Sequence, residues 1–357
     1  MKHDILSILQ DAVKRQASDI FIVSGCPLSL KIHGKLMPIE DEKLSPADTE
    51  QLLREIYVHD NARTMDEFIH TGDDDFSFSI SGLGRFRCNA YKQRGSMAAV
   101  LRVVSFTLPD ARQLHIPPAV TELYQMRKGL VLITGSAGSG KSTTLACIID
   151  RINQNFHDHI ITIEDPIEFL HTHHNSIVSQ REICHDTAGY VEALRAALRQ
   201  SPDVILLGEM RDFETIQTAI TAAETGQLVL STLHTIGAAK TIDRVIDVFP
   251  PNQQQQIRIQ LSMVLQAVVS QQLVPATDGS LYPAFEVMLV NSAVRNLIRE
   301  GKTHQLDNII FSGGDQGMVS MDNDLLRLYR QGIITQETAR MYSTNLESMD
   351  KRLNAKQ

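Results

Sequence analysis

Eight consecutive residues constrain this chain more than any other feature. Gly135-Ser136-Ala137-Gly138-Ser139-Gly140-Lys141-Ser142 follows the apolar run Leu130-Val131-Leu132-Ile133 and opens a helical pattern from Thr143 to Ile152. Glycines let a backbone bend closely around an anion, and the amides of the turn and of the helix start supply positive potential there. The spacing GxxxxGK[ST] between a strand and a helix therefore predicts a phosphate-binding loop at the edge of a parallel sheet. The backbone from Gly135 to Thr143 is the expected nucleotide cradle, with Lys141 on the outer phosphates and Ser142 on Mg²⁺.

Around this loop the sequence alternates apolar strand, polar loop and amphipathic helix, which is how a parallel sheet covered by helices is written. Strands are expected at 130–133, 160–163, 204–207 and 228–230, each followed by chemically capable side chains. Ligands of open parallel sheets sit outside the carboxyl ends of the strands, so these loops should share one site. Beyond about residue 245 the pattern reads as mostly helical. The first hundred residues differ: an opening helix carries Ile5, Leu6, Ile8, Leu9 and Val13, and short strands follow at Ile20 to Val23, Ser29 to His33 and Phe76 to Ile80. That texture predicts a smaller α+β domain with an antiparallel sheet. Pro109, Pro117 and Pro118 mark a linker, which gives expected boundaries of 1–105, 106–118 and 119–357 in an α/β chain.

A length of 357 residues exceeds what one core normally supports and fits two domains. With 42 acidic against 34 basic residues the net charge is -8, and aromatic residues make up 5%, so the surface is not written for nucleic acid. Cys26, Cys88, Cys147 and Cys184 are scattered without a CxxC pair, which argues against a zinc ribbon or a disulfide framework and fits a reducing cytoplasm. No apolar run reaches bilayer-spanning length, so any dealings with a membrane machine are expected to pass through partner proteins.

Three strand ends carry candidate chemistry. Val204-Ile205-Leu206-Leu207-Gly208-Glu209 has the form of the second phosphate-loop motif, whose acid, here Glu209, holds Mg²⁺ or its waters. Glu164, first beyond the strand in Ile163-Glu164-Asp165-Pro166-Ile167-Glu168, is the expected base for water. His234, in Thr232-Leu233-His234-Thr235, is either a γ-phosphate sensor or a histidine satisfied by Thr232 or a carbonyl. Arg85, Arg87, Arg94 and Arg102 crowd one stretch of the first domain, as solvated side chains or as arginine fingers that neutralise charge in a neighbour's transition state.

Taken together these motifs resemble the secretion ATPase superfamily, and within it the type IV pilus retraction ATPases. The resemblance runs over nearly the whole chain through Ser18-Asp19-Ile20, Arg85 to Ala90, the phosphate loop, Ile163 to Glu168, Leu194 to Arg199, Gly208 to Asp212 and Thr232 to Thr235. The helix Ala293 to Glu300 looks like the subfamily's retraction signature, and the cysteine count excludes the zinc insertion of pilus assembly ATPases. What the resemblance implies is a PAS-like first domain and a RecA-like second domain, assembled as a cytoplasmic homohexamer beneath an inner-membrane pilus platform. Arg87 and Arg102 would contact ATP across a subunit boundary, and Ala293 to Glu300 would meet the platform protein. Gln227 departs from the family, which has a histidine at that place after Gly226. An assembly or secretion ATPase of the same superfamily, or a nucleotide-gated regulatory subunit with weak turnover, are the alternatives.

Overall fold

The computed structural model describes residues 4–354 apart from 33, 60–63, 105–107 and 109. Part of the linker and the last residue of the strand expected at Ser29 to His33 thus lie outside the described residues. The chain forms two compact units, Met1–Thr107 with Glu168–Leu170, and Leu108–Ile167 with His171–Gln357.

The smaller unit is built on six strands: β1 Asp19–Ile22, β2 Pro27–Ile32, β3 Lys35–Lys43, β4 Asp73–Ile80, β5 Gly84–Gln93 and β6 Ser96–Val104. They lie in the order β3-β2-β1-β6-β5-β4, every neighbour antiparallel. Helices Ile5–Lys14 and Pro46–Val58 share one core with the sheet through Leu9, Leu52, Leu53 and Ile56, against Ile20, Phe86 and Leu101. The second helix starts where Ser45 and Asp48 cap each other's backbone and Pro46 presets the first turn.

The larger unit holds seven strands: β7 Gly129–Thr134, β8 His159–Glu164, β9 Ile177–Glu182, β10 Val204–Leu207, β11 Leu228–Leu233, β12 Leu265–Pro275 and β13 Leu281–Leu289. Their order is β13-β12-β7-β11-β10-β8-β9, parallel except for the β12/β13 hairpin. The four strands read from the sequence are β7, β8, β10 and β11, adjacent at the centre. Leu130 and Leu132 face one apolar cluster while Val131 and Ile133 face another, so β7 is covered on both sides. A strand buried on both faces has to be apolar at every position, which is why its signal was clear.

The region beyond residue 245 is mostly helical, as the sequence suggested, but it also carries two long strands that the sequence did not signal. Between helices Gln254–Val264 and Ser292–Glu300 runs the long β12/β13 hairpin, hydrogen-bonded to β7 along its parallel edge. Ser270 and Gln271 are buried at 0% and 3% exposure inside β12, and these polar letters disguised a core strand. Among the described residues no helix is long and apolar enough to cross a membrane.

Candidate active site

The site grows from the carboxyl edge of the larger sheet. Backbone hydrogen bonds stitch four strand ends together: Gly135 N donates to Leu233 O, Met210 N to Thr232 O, and Gly208 N to Ile163 O. The phosphate loop after β7, the acids after β8 and β10 and the histidine after β11 therefore share one rim, as the sequence implied.

Within the loop, Gly135 adopts φ +143 and Gly140 φ +88. A Cβ at Gly135 would stand 2.2 Å from the Gln271 carbonyl oxygen, so only glycine fits between β7 and β12. Gly140 precedes helix Lys141–Asn155, whose start faces into the loop. Lys141 is 8% exposed and its Nζ donates to the carbonyls of Gly135 (3.0 Å) and Ser136 (2.8 Å), so the ammonium sits inside the cradle. The hydroxyl of Ser139 is buried there without a hydrogen-bond partner, as are those of Thr134 at the end of β7 and Ser231 inside β11. A buried donor left unmatched by protein is costly, and an oxyanion in the loop is the group that would satisfy Ser139.

Glu209 follows β10 and is gripped from two sides. Arg211 lies 2.7 Å from one carboxylate oxygen and His234 Nε2 lies 3.2 Å from the other. Burial pulls the carboxyl upward, but the hydrogen bonds and charges of Arg211 and His234 outweigh it and hold Glu209 below the usual carboxylate range. His234 is thus paired with an acid rather than satisfied by Thr232, whose hydroxyl donates to Gly208 O at 2.6 Å. Glu164, at the end of β8, accepts from Thr162 Oγ1 at 2.6 Å and Gln180 Nε2 at 3.2 Å, two contacts that fix its orientation.

Two further residues belong to this rim and escaped the sequence. Tyr190 opens helix Tyr190–Ala197, and a Cβ on Gly208 would come within 2.9 Å of its hydroxyl. Burial, with the charges of Asp165, Glu209 and Glu164 added and Arg211 opposing, pushes this phenol well above its ordinary range. Gln271 on β12 accepts from Thr144 Oγ1 at 2.7 Å. Neither sits in a motif, and each reaches the rim only through tertiary contact.

A cavity of about 670 Å³ adjoins the phosphate loop at Gly140, Thr143 and Thr144. Its other walls include Leu114, Ile116, Leu273 and Ile333, with His115 and Tyr282 stacked at 4.5 Å between ring centroids. Residues 113–116, read as linker, are therefore a wall of the cavity. Flat stacked rings and aliphatic side chains beside a phosphate loop suit a nucleobase.

Arg87 and Arg102 belong to the smaller unit. They are cross-strand partners on β5 and β6, and each is held by an acid of its own unit: Arg87 by Asp75 (2.5 Å) and Arg102 by Asp19 (3.2 Å). Gln227 stands at the amino end of β11, about 20 Å along the strand from His234 at ~3.3 Å per residue. It accepts from Thr225 Oγ1 and lies away from the phosphate rim of its own chain. In helix Ser292–Glu300, Arg295 is bound back onto its own chain. Its guanidinium donates to the carbonyls of Ser262 (2.6 Å) and Met263 (2.9 Å), capping helix Gln254–Val264, whereas Arg299 is exposed.

A phosphate loop on the carboxyl edge of a parallel sheet, beside oriented acids and a base-sized cavity, defines the class: this is an α/β ATPase of the phosphate-loop type carrying a smaller antiparallel-sheet domain. The type II/IV secretion system protein family matches residues 1–349, and the chain belongs to that family. It is similar to the type IV pilus retraction ATPase PilT of Pseudomonas aeruginosa, at 43% identity over 94% of this chain and 97% of that protein. A twitching motility protein of Neisseria gonorrhoeae is 41% identical over 97% of this chain and 92% of that protein. Among solved structures, the pilus retraction motor PilT with bound ADP superposes at a TM-score of 0.89 with 45% identity, covering 98% of this chain and all (100%) of that one. The ATPase DotB of Legionella pneumophila gives 0.81 at 28% identity, over 96% of both chains.

Proposed function

We propose that this chain is an ATP-hydrolysing motor that drives type IV pilus retraction, working as a cytoplasmic homohexamer at the inner-membrane pilus platform. The observation that carries the reading is the cradle itself: Lys141 held within the loop, the unmatched Ser139 hydroxyl in the same loop, and Glu164 and Glu209 on adjoining strand ends. The retraction ATPase PilT and the twitching motility protein, similar over nearly their whole lengths, supply the direction of the work.

In this reading the amides of residues 135–143 and the Lys141 ammonium bind the phosphates, and the base enters the cavity beside His115 and Tyr282. Glu164 orients and accepts a proton from the attacking water. Ser142 and Glu209 would hold Mg²⁺, which would supply positive charge to the phosphates. The Ser142 hydroxyl at the helix start and the ionised Glu209 are hard oxygen donors of the type that ion takes. His234 positions Glu209 and senses whether the γ-phosphate is present. Residues 1–105 form the domain that presents Arg87 and Arg102 to a neighbour's nucleotide, with 106–118 as the connection and 119–357 as the ATPase domain. Arg299, exposed on helix Ser292–Glu300, faces the platform protein.

Steady-state phosphate release with magnesium ATP tests the enzyme, against Lys141→Ala as the inactive control. Deleting the gene tests the direction of work: fibres that persist but no longer shorten agree with retraction, and absent fibres point to assembly.

A further inference from the structure

Gln271 joins the phosphate loop to the cavity beside it, and nothing in its sequence neighbourhood announces a role. It lies in β12 at 3% exposure, next to the phosphate strand β7. Its backbone carbonyl is the atom that excludes a Cβ from Gly135. Its side-chain oxygen accepts from Thr144 Oγ1 in the first turn of helix Lys141–Asn155, and that bond fixes which way round the amide sits. The Nε2 group is then turned toward Gly140, where a Cβ would meet it at 2.9 Å, and Gln271 lines the cavity at this point. Among the described residues Nε2 has no hydrogen-bond partner.

A nearly buried amide donor, oriented by its own oxygen and presented where a phosphate loop meets a base-sized cavity, is placed for the part of a nucleotide that spans the two. We propose that Gln271 is a nucleotide-contact residue whose Nε2 donates to the sugar and α-phosphate segment, while its Oε1 holds the Thr144 hydroxyl. The proposal rests on the ATPase reading above and deepens it. Pyrophosphate fills the loop without reaching this donor, whereas ADP reaches it. Gln271 therefore distinguishes a nucleotide from a bare polyphosphate.

Two substitutions separate contact from scaffold. Gln271→Glu keeps the length and the oxygen that accepts from Thr144, but removes the donor and turns a negative charge toward the phosphates. Gln271→Met removes both polar atoms at similar volume. Calorimetry with magnesium ADP and with magnesium pyrophosphate on the full chain reads the result, with melting temperature as a check on folding. Gln271→Glu is expected to weaken ADP at least tenfold, the loss typical of a hydrogen bond to a charged group. Its pyrophosphate affinity should fall several-fold less. Thr144→Val, which keeps the amide donor but loses the bond that orients it, should weaken ADP less than Gln271→Glu does. ADP affinity at the parent level in Gln271→Glu, or equal losses for ADP and pyrophosphate, overturns the proposal. If Gln271→Glu does not fold, Gln271→Met decides by the same ADP to pyrophosphate ratio. Failure of the parent chain to bind ADP at all would instead sink the ATPase reading, so the two failures are distinct.

Discussion

His234 Nε2 stands 3.2 Å from Glu209 Oε1, while Arg211 holds the other carboxylate oxygen at 2.7 Å. An acid at the end of β10 is thereby tied to the end of β11, so a change at either strand end is felt at the other. Removing the charge in Glu209→Gln should lower turnover by about 10²-fold or more, the scale of a group acting directly on the reacting phosphates. His234→Ala leaves Arg211 in place and should cost less. Phosphate release at saturating magnesium ATP measures both, and a parent-like rate in Glu209→Gln removes that residue from the mechanism.

Acid titration should find a different carboxylate in the core. Glu286 on β13 is 6% exposed and accepts from the Ala238 amide at 2.8 Å and the Met321 amide at 3.4 Å, each at a helix start. Burial raises its affinity for a proton above the ordinary carboxylate value of 4.5; the two amides oppose this, and Asp307 and Asp322 add to it. With the folded value raised, the contribution to stability is fully present below the unfolded value and is lost as pH rises through the folded one. Gln cannot ionise, so the melting temperature of Glu286→Gln relative to the parent should be more favourable at pH 8 than at pH 4.5. A difference independent of pH would contradict this.

Two of the three loop glycines should respond unequally to alanine. At Gly135 both φ +143 and the Gln271 carbonyl oppose a side chain, whereas Gly138 has φ +76 and open space around it. Gly138→Ala should cost only the left-handed strain of about 1 kcal/mol. Gly135→Ala must also push β12 from β7, and should abolish nucleotide binding or destabilise the unit by more than about 2 kcal/mol. Denaturant midpoints and ADP titration separate the cases.

Arg87 and Arg102 are register partners across β5 and β6; Arg87 rests on an exposed ion pair worth at most about 1 kcal/mol, whereas Arg102 covers Asp19, a buried carboxylate. Arg87→Ala should leave folding intact, and Arg102→Ala, which takes the guanidinium from the buried Asp19, should lower the melting temperature more. If they act on a neighbour's nucleotide, each variant loses about 10³-fold in rate, and mixing Arg87→Ala with Lys141→Ala chains restores measurable turnover from composite sites. Mixtures no more active than their components would place both defects in one subunit.

Arg295 and Arg299 should part company although they share a helix. Arg295 caps the carbonyl end of helix Gln254–Val264, so Arg295→Ala should destabilise by about 1–2 kcal/mol. Arg299 is exposed, and Arg299→Ala should leave melting and turnover unchanged while impairing retraction in cells. Equal melting temperatures for the two variants would contradict the cap.

The phosphate loop, the central parallel strands and the acids behind them were all legible because their signals are local. A glycine spacing, an unbroken apolar run and a carboxylate at its end each report backbone geometry within a few residues. The β12/β13 hairpin was not legible, since Ser270 and Gln271 are polar residues that only the packing against β7 accounts for.

What the sequence by itself determined is the chemistry available and its placement at strand ends. What only tertiary structure decided is which groups meet: His234 with Glu209, Tyr190 beside Gly208, and Thr144 with Gln271, partners 127 residues apart. Strand order and long-range closure set those meetings. No periodicity records them, because a side chain's partner is fixed by the sheet that brings it there and not by its neighbours along the chain.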